Sequence, residues 1–267
     1  MVPAIPANFT EDSIAVADGR VQLRKGGSGR PLLVLHGELG VPAWLESHAL
    51  LARSRTVYVP SLPGFGSSTA VEWVMSVRDL AVWLNRYIRE SALPVPIDVV
   101  AFSLGGWLAA ELATLNSAIF RKLVLVAPAG VKPEEGEIWD YFLNPSRDAF
   151  TQSFFKAGEC AEFAKYYGRD WTPAEGDLIE TNREAAIRLI WRPYMHSVNL
   201  PQLLAAVDTP TLLVWGRQDA IIPISSCEVY RRGIAGAKVH VIDQCGHMPE
   251  IEKAEEFSKV VIEFLEG

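Results

Sequence analysis

Six short apolar runs punctuate the chain, at residues 31–35, 56–59, 97–102, 122–126, 211–215 and 238–242, and each ends at a small or polar residue. Runs this short and this continuously apolar suit strands of a parallel sheet that is covered on both faces. Between them the apolar period lengthens. Residues 76–90 set Val77, Leu80, Ala81, Leu84 and Ile88 on one stripe, as an amphipathic helix requires. Residues 104–115 open with small side chains able to pack close to a sheet, and 252–265 carry Phe257, Val260, Val261 and Phe264 at helical spacing. Near the start, 13–16 and 21–24 flank Asp18-Gly19, a hairpin signal. The alternation predicts an α/β fold, a doubly wound, mostly parallel sheet.

One stretch breaks the alternation. Residues 131–200 hold helical patterns interrupted by Pro and Gly, with no convincing strand, and read as an all-helical cap inserted into a core of 1–130 and 201–267. The segment is rich in aromatic residues. Most of them are expected to pack the cap onto the core, with Trp139, Phe142 and Trp191 as candidates to line a substrate pocket.

Composition narrows the partners. The 267 residues are 49% hydrophobic and 21% charged, which excludes a disordered chain. A net charge of −7 argues against binding a nucleic-acid backbone, which needs a basic face. Cys160, Cys227 and Cys245 lack CxxC spacing, and three scattered thiols fit a reducing, cytoplasmic setting better than a disulfide framework. No run of 18 apolar residues marks a membrane span. The opening Met1-Val2-Pro3-Ala4-Ile5-Pro6 lacks the charged and apolar regions of a secretory signal. No cluster of metal-ligating residues is evident, so neither a metal nor an organic cofactor is expected. A small molecule remains as the expected partner, and oligomeric state stays open.

The chemistry concentrates at strand ends. Ser103 lies between a strand and a helix in Ala101-Phe102-Ser103-Leu104-Gly105-Gly106, where small neighbours permit a sharp turn that lifts the hydroxyl off the sheet. A serine hydroxyl needs a base to become a nucleophile. Of five histidines, His247 follows the last strand and can reach that turn; His240 falls within a strand pattern, His48 in a helix and His196 in the cap. An acid must orient the imidazole and stabilise its charged form. Asp219, just past the penultimate strand, fits best; Asp208 precedes that strand, and Asp243 is close to His247 in sequence only. The N–H of Leu104, at a helix start directly after the serine, is a candidate oxyanion donor.

In these features the chain resembles the α/β-hydrolase-fold serine hydrolases over nearly its whole length. His36-Gly37 is similar to the family's HG oxyanion loop. Pro60 to Ser68 resembles its D-x-P-G-x-G-x-S turn, with Ser61 in place of the aspartate and Ala101 in place of the first glycine of G-x-S-x-G. The resemblance implies a triad of Ser103, Asp219 and His247 and a second oxyanion donor on the N–H of Glu38, whose carboxylate should point away from the developing charge. His36 is expected to be a structural hydrogen-bonding residue. The run Phe102-Ser103-Leu104-Gly105-Gly106 resembles that of arylesterases and cofactor-free perhydrolases. With Phe102 and Met248 as pocket residues, it favours an esterase acting on a small to medium apolar carboxylic ester. Arg188, Trp191 and Arg192 late in the cap are similar to carbon–carbon bond hydrolases of aromatic ring-cleavage products, the alternative. A hydrolase-like ligand receptor is the third reading.

Overall fold

The computed structural model describes residues 9–16 and 18–267. The opening stretch that lacks a signal pattern lies outside the described residues. Eight strands form one sheet: β1 (Phe9–Val16), β2 (Gly19–Gly27), β3 (Arg30–Leu35), β4 (Arg55–Pro60), β5 (Ile97–Phe102), β6 (Phe120–Val126), β7 (Thr211–Gly216) and β8 (Lys238–Ile242). Their order is β1-β2-β4-β3-β5-β6-β7-β8. The expected hairpin is present, with Val16 opposite Gly19, and β2 also runs antiparallel to β4; every other pair is parallel.

The unbroken apolar runs are explained by burial on both faces. Side chains alternate across the pleat. Leu33, Leu35, Val99, Ala101, Leu123, Leu125, Leu213 and Trp215 enter one core. Leu32, Val34, Val100, Phe102, Val124, Val126, Leu212 and Val214 enter the other. Each such aliphatic side chain contributes about 1.5–3 kcal/mol when taken fully out of water. Helix α1 (Glu46–Leu51) precedes β4, and α2 (Val77–Glu90) follows it. In α2 the expected stripe is buried, and Ser76 caps the start by accepting the Asp79 N–H. Helix α3 (Ser103–Leu115) packs beside α2 on the first face.

Between β6 and β7 lie α4 (Ser146–Gln152), α5 (Ala161–Tyr166) and α6 (Pro173–Ile190), the last opened by a Thr172–Glu175 capping box. Among the described residues this insertion holds no strand, and only isolated bridges join Gly130 to His196 and Trp191 to Tyr194. Its two ends leave the core side by side: the Gly130 N–H donates to the Met195 carbonyl, and the Ser197 N–H to the Gly130 carbonyl, both at 2.9 Å. Phe150, Phe154, Tyr166 and Tyr167 of the insertion bury against Leu45, Met248 and Ile251 in a third apolar cluster.

Helices α7 (Leu200–Leu203) and α8 (Ser225–Gly233) flank β7. The helix expected over 252–265 is present as α10 (Ala254–Glu266), which carries Phe257, Val260, Val261 and Phe264; a short α9 (Pro249–Glu252) precedes it and ends at Lys253. Lys253, with φ of −134° and ψ of 46°, is outside the helical range. The Glu252 carboxylate is drawn to the Gly246 N–H at 2.6 Å and the Phe155 N–H at 3.0 Å.

Candidate active site

The sheet order makes a crevice. From β3 the chain first adds β4 on one side and then β5 on the other, so the loops after β3 and β5 diverge at their carboxyl ends, where α/β sheets place ligands. The loop after β3 is His36-Gly37-Glu38, and β5 runs straight into Ser103.

Ser103 begins α3 with φ of +43°, a left-handed value that a non-glycine residue adopts only when its surroundings enforce it. Close packing supplies the enforcement. A side chain on Gly105 would stand 2.6 Å from the carbonyl oxygens of Leu35 and His36. Ala101 is fully buried in the core, so a methyl is accommodated where the family motif has glycine. The Ser103 hydroxyl is itself buried and has no hydrogen-bond partner.

The loops after β7 and β8 are laced together. The Gln218 N–H donates to the Cys245 carbonyl at 2.9 Å, and the Cys245 N–H returns to the Gln218 side chain at 3.1 Å. Gly216 permits this approach, since a Cβ there would lie 1.9 Å from the Gly246 carbonyl. The His247 N–H donates to the Ser153 carbonyl of the insertion at 2.7 Å, which pins the base from above. His247 Nδ1 donates to Asp219 Oδ2 at 2.8 Å, and Asp219 Oδ1 accepts the N–H groups of Ile221 and Ile222 at 2.8 and 2.9 Å. Asp243, by contrast, is exposed and paired with Arg217.

Two groups depart from expectation in ways that change the electrostatics. The Glu38 side chain does not turn away. It is 3% exposed, with Oε1 3.9 Å from His247 Nε2 and Oε2 buried without a partner. Glu250, which sequence reasoning gave no role, is also buried, with an unpartnered Oε2. Burial raises its pKa to about 8. Burial works to lower the His247 pKa, but the Asp219 carboxylate and its hydrogen bond, reinforced by Glu38 and Glu250, hold it up at about 9. The buried Tyr141 hydroxyl also faces Glu38 and keeps its proton well above the usual phenol range. Its position in the insertion is visible in the sequence, but nothing there separates it from its aromatic neighbours.

Ser103, His247, Glu38, Glu250, Phe102, Met248 and Tyr167 line one narrow cleft of about 30 Å³. A second cavity of about 120 Å³ shares Leu39, Val41, Pro42 and Tyr167 with it; its other walls are Ala43, Phe150, Tyr166, Trp171, Leu178 and Ile179 together with the polar Lys165, Arg169, Glu175 and Asn182. The structure does not bring the three expected aromatics to either space. Trp139 and Phe142 are half-buried against the core, and the Trp139 carbonyl accepts the Tyr194 hydroxyl at 2.6 Å. Trp191 is 60% exposed. The arginines are elsewhere as well: Arg188 donates to the Glu72 carbonyl at 2.6 Å, and Arg192 is exposed. His36 has the structural part expected of it. Its Nε2 accepts the Leu62 N–H at 2.9 Å, Nδ1 bonds the Gly37 carbonyl, and burial lowers its pKa to about 4. His48 bonds the Leu45 N–H and is likewise held neutral by burial.

Comparison with known proteins agrees with this architecture. Residues 30–254 match the family described as alpha/beta hydrolase fold. The chain is 30% identical to 2-hydroxymuconate semialdehyde hydrolase of Pseudomonas sp. (strain CF600), over 94% of this chain and 92% of that one. Among solved structures, a membrane phospholipase A superposes with a TM-score of 0.79 at 24% identity, covering 98% of this chain and 87% of that one. A thermophilic esterase does so at 0.74 and 23%, covering 97% and 98%. No helix among the described residues is long and apolar enough to cross a membrane. The chain is a hydrolase of the alpha/beta-hydrolase fold family.

Proposed function

We propose that this is a serine hydrolase that cleaves a small to medium apolar carboxylic ester through an acyl-enzyme intermediate. One observation carries the reading: His247 is anchored by a buried Asp219 carboxylate at 2.8 Å, while its Nε2 and the Ser103 hydroxyl are both unpartnered on one cleft. Ser103 attacks the ester carbonyl, and His247 in its neutral form takes the hydroxyl proton. Asp219 fixes the tautomer and stabilises the imidazolium. The N–H groups of Leu104 and Glu38 hold the oxyanion, each such donor typically being worth about 3–4 kcal/mol in the transition state. His247 returns its proton to the leaving alkoxide, and water then releases the acid. The insertion, 131–200, acts as a cap over this cleft. The second cavity, where Phe150, Trp171, Leu178 and Ile179 form an apolar side, is the place for the ester's hydrocarbon part.

Carbon–carbon bond hydrolysis is the second reading, favoured by the named activity of the Pseudomonas relative. A muconate semialdehyde is an anion, and among the described residues the cleft at Ser103 is lined by Glu38 and Glu250 and by no Lys or Arg, Lys165 and Arg169 standing only in the second cavity. That balance favours the ester. Steady-state assays with 4-nitrophenyl butyrate and with a vinylogous diketone carboxylate decide between them. The ester is expected to turn over and the diketone not; the reverse result replaces the ester reading with the second one.

A further inference from the structure

Glu38 and Glu250 share one wall-to-wall cleft, more than nine-tenths buried, and each keeps an oxygen that no protein group bonds. A buried carboxylate without a partner is strongly unfavourable, because desolvation is not offset by any hydrogen bond. The protein supplies no cation to relieve it. Among the described residues no Lys or Arg lines the cleft, and the imidazolium of His247 lies 3.9 Å from Glu38. That charge is not available during catalysis, since His247 must shed its proton to accept the one from Ser103. Glu250 loses its own proton at about 8, below the pH of about 9 at which His247 becomes neutral, so at that stage Asp219, Glu38 and Glu250 face a neutral base and the cleft is left with negative charge alone. A ligand that brings its own positive charge would complete it.

We infer that the substrate carries a cationic group, of the ammonium class, which sits beside Glu38 and Glu250 while its ester carbonyl lies at Ser103. This rests on the ester-hydrolase reading and adds the charge of the substrate to it. The two carboxylates become specificity residues. They attract an ammonium group and bar an acyl chain that ends in a carboxylate. Tyr141, whose buried hydroxyl interacts with Glu38, stays neutral beside that carboxylate.

Three 4-nitrophenyl esters of matched length test the inference: 4-(trimethylammonio)butanoate, its neutral isostere 5,5-dimethylhexanoate, and the mono-ester of glutarate. The wild-type enzyme at low salt is expected to prefer the cation over the isostere by about tenfold or more in kcat/KM, and to take the anion worst. Glu38→Gln and Glu250→Gln are each expected to reduce the cation-to-neutral ratio severalfold. The ratio is taken within each variant, so a general loss of rate from disturbing His247 cancels. A wild-type ratio of one or below, or a ratio unmoved in both variants, overturns the inference while the turnover of the neutral ester leaves the esterase reading standing. No turnover of any of the three, with Ser103 unreactive to a fluorophosphonate, overturns both.

Discussion

His247 decides how the site behaves with pH. In the free enzyme the surrounding carboxylates hold its pKa at about 9. Only the neutral imidazole can accept the Ser103 proton, so kcat/KM is expected to climb as pH rises through about 9 and then level off. Glu38→Gln removes a negative charge 3.9 Å from Nε2, which favours the neutral ring, and the midpoint should move down. Initial rates between pH 6 and pH 10 on both proteins check this; a midpoint unchanged by the substitution would remove Glu38 from the electrostatics of the base. Asp219→Asn should lower kcat by about 10⁴-fold, through loss of charge and the wrong tautomer. Asp243→Asn should leave it unchanged, because that carboxylate is an exposed partner of Arg217. That Ser103 and His247 meet at one cleft, with Asp219 bonded to His247, was legible in the sequence because each sits just past a strand, where apolar run and turn are both local signals. The orientation of Glu38 was not. A residue's position in a loop after a strand says which backbone N–H it offers, but the direction of its side chain depends on His247 and Tyr141, which arrive from distant parts of the chain.

At the scale of elements, the sheet carries its own lock at the edge opposite the site. Asp98 on β5 is fully buried and pairs with Arg121 on β6 at 2.5 Å and with Arg55 on β4 at 3.5 Å. Arg121 also donates to the Leu265 carbonyl at 2.8 Å, which ties in α10. Asp98→Ala leaves Arg55 buried without its partner, and is expected to destabilise the fold by about 3–5 kcal/mol. Urea unfolding should show the loss, while kcat/KM of the protein that remains folded stays near wild type. A change below 1 kcal/mol would mean that water or Glu266 takes over the pairing. The strands themselves were readable, since burial on both faces writes an unbroken apolar run into each. The short helix α9 before α10 was not, because a segment of one turn carries no apolar period to read. Its Glu252 carboxylate accepts the N–H groups of Gly246 and Phe155, and such contacts have no signature in periodicity.

At the scale of the whole molecule, the insertion and the core divide the work. Loops of the core present Ser103, Asp219 and His247 and most of the cleft's lining, while the insertion adds Tyr167 to the cleft and Phe150, Tyr166, Trp171, Leu178 and Ile179 to the second cavity. Its abundance of aromatic residues was plain in the sequence, but abundance does not say which rings face the cleft. Trp191 is exposed and Trp139 and Phe142 lean on the core, whereas Tyr167 and Trp171 line the two spaces next to Ser103. Trp191→Ala is therefore expected to keep the preference among acetate, butyrate and octanoate esters. Ile179→Trp, which adds bulk at the second cavity, should depress octanoate selectively; an equal effect on all three chain lengths would place the hydrocarbon chain elsewhere. All of this depends on Ser103 being the group that is acylated. The direct measurement is a brief reaction with 4-nitrophenyl butyrate, an acid quench, and mass spectrometry of the digested protein. The account predicts one butyryl group on the peptide containing Ser103, absent in Ser103→Ala, which should also lose about 10⁴-fold or more in kcat. A butyryl group on another residue, or full turnover by Ser103→Ala, would contradict it.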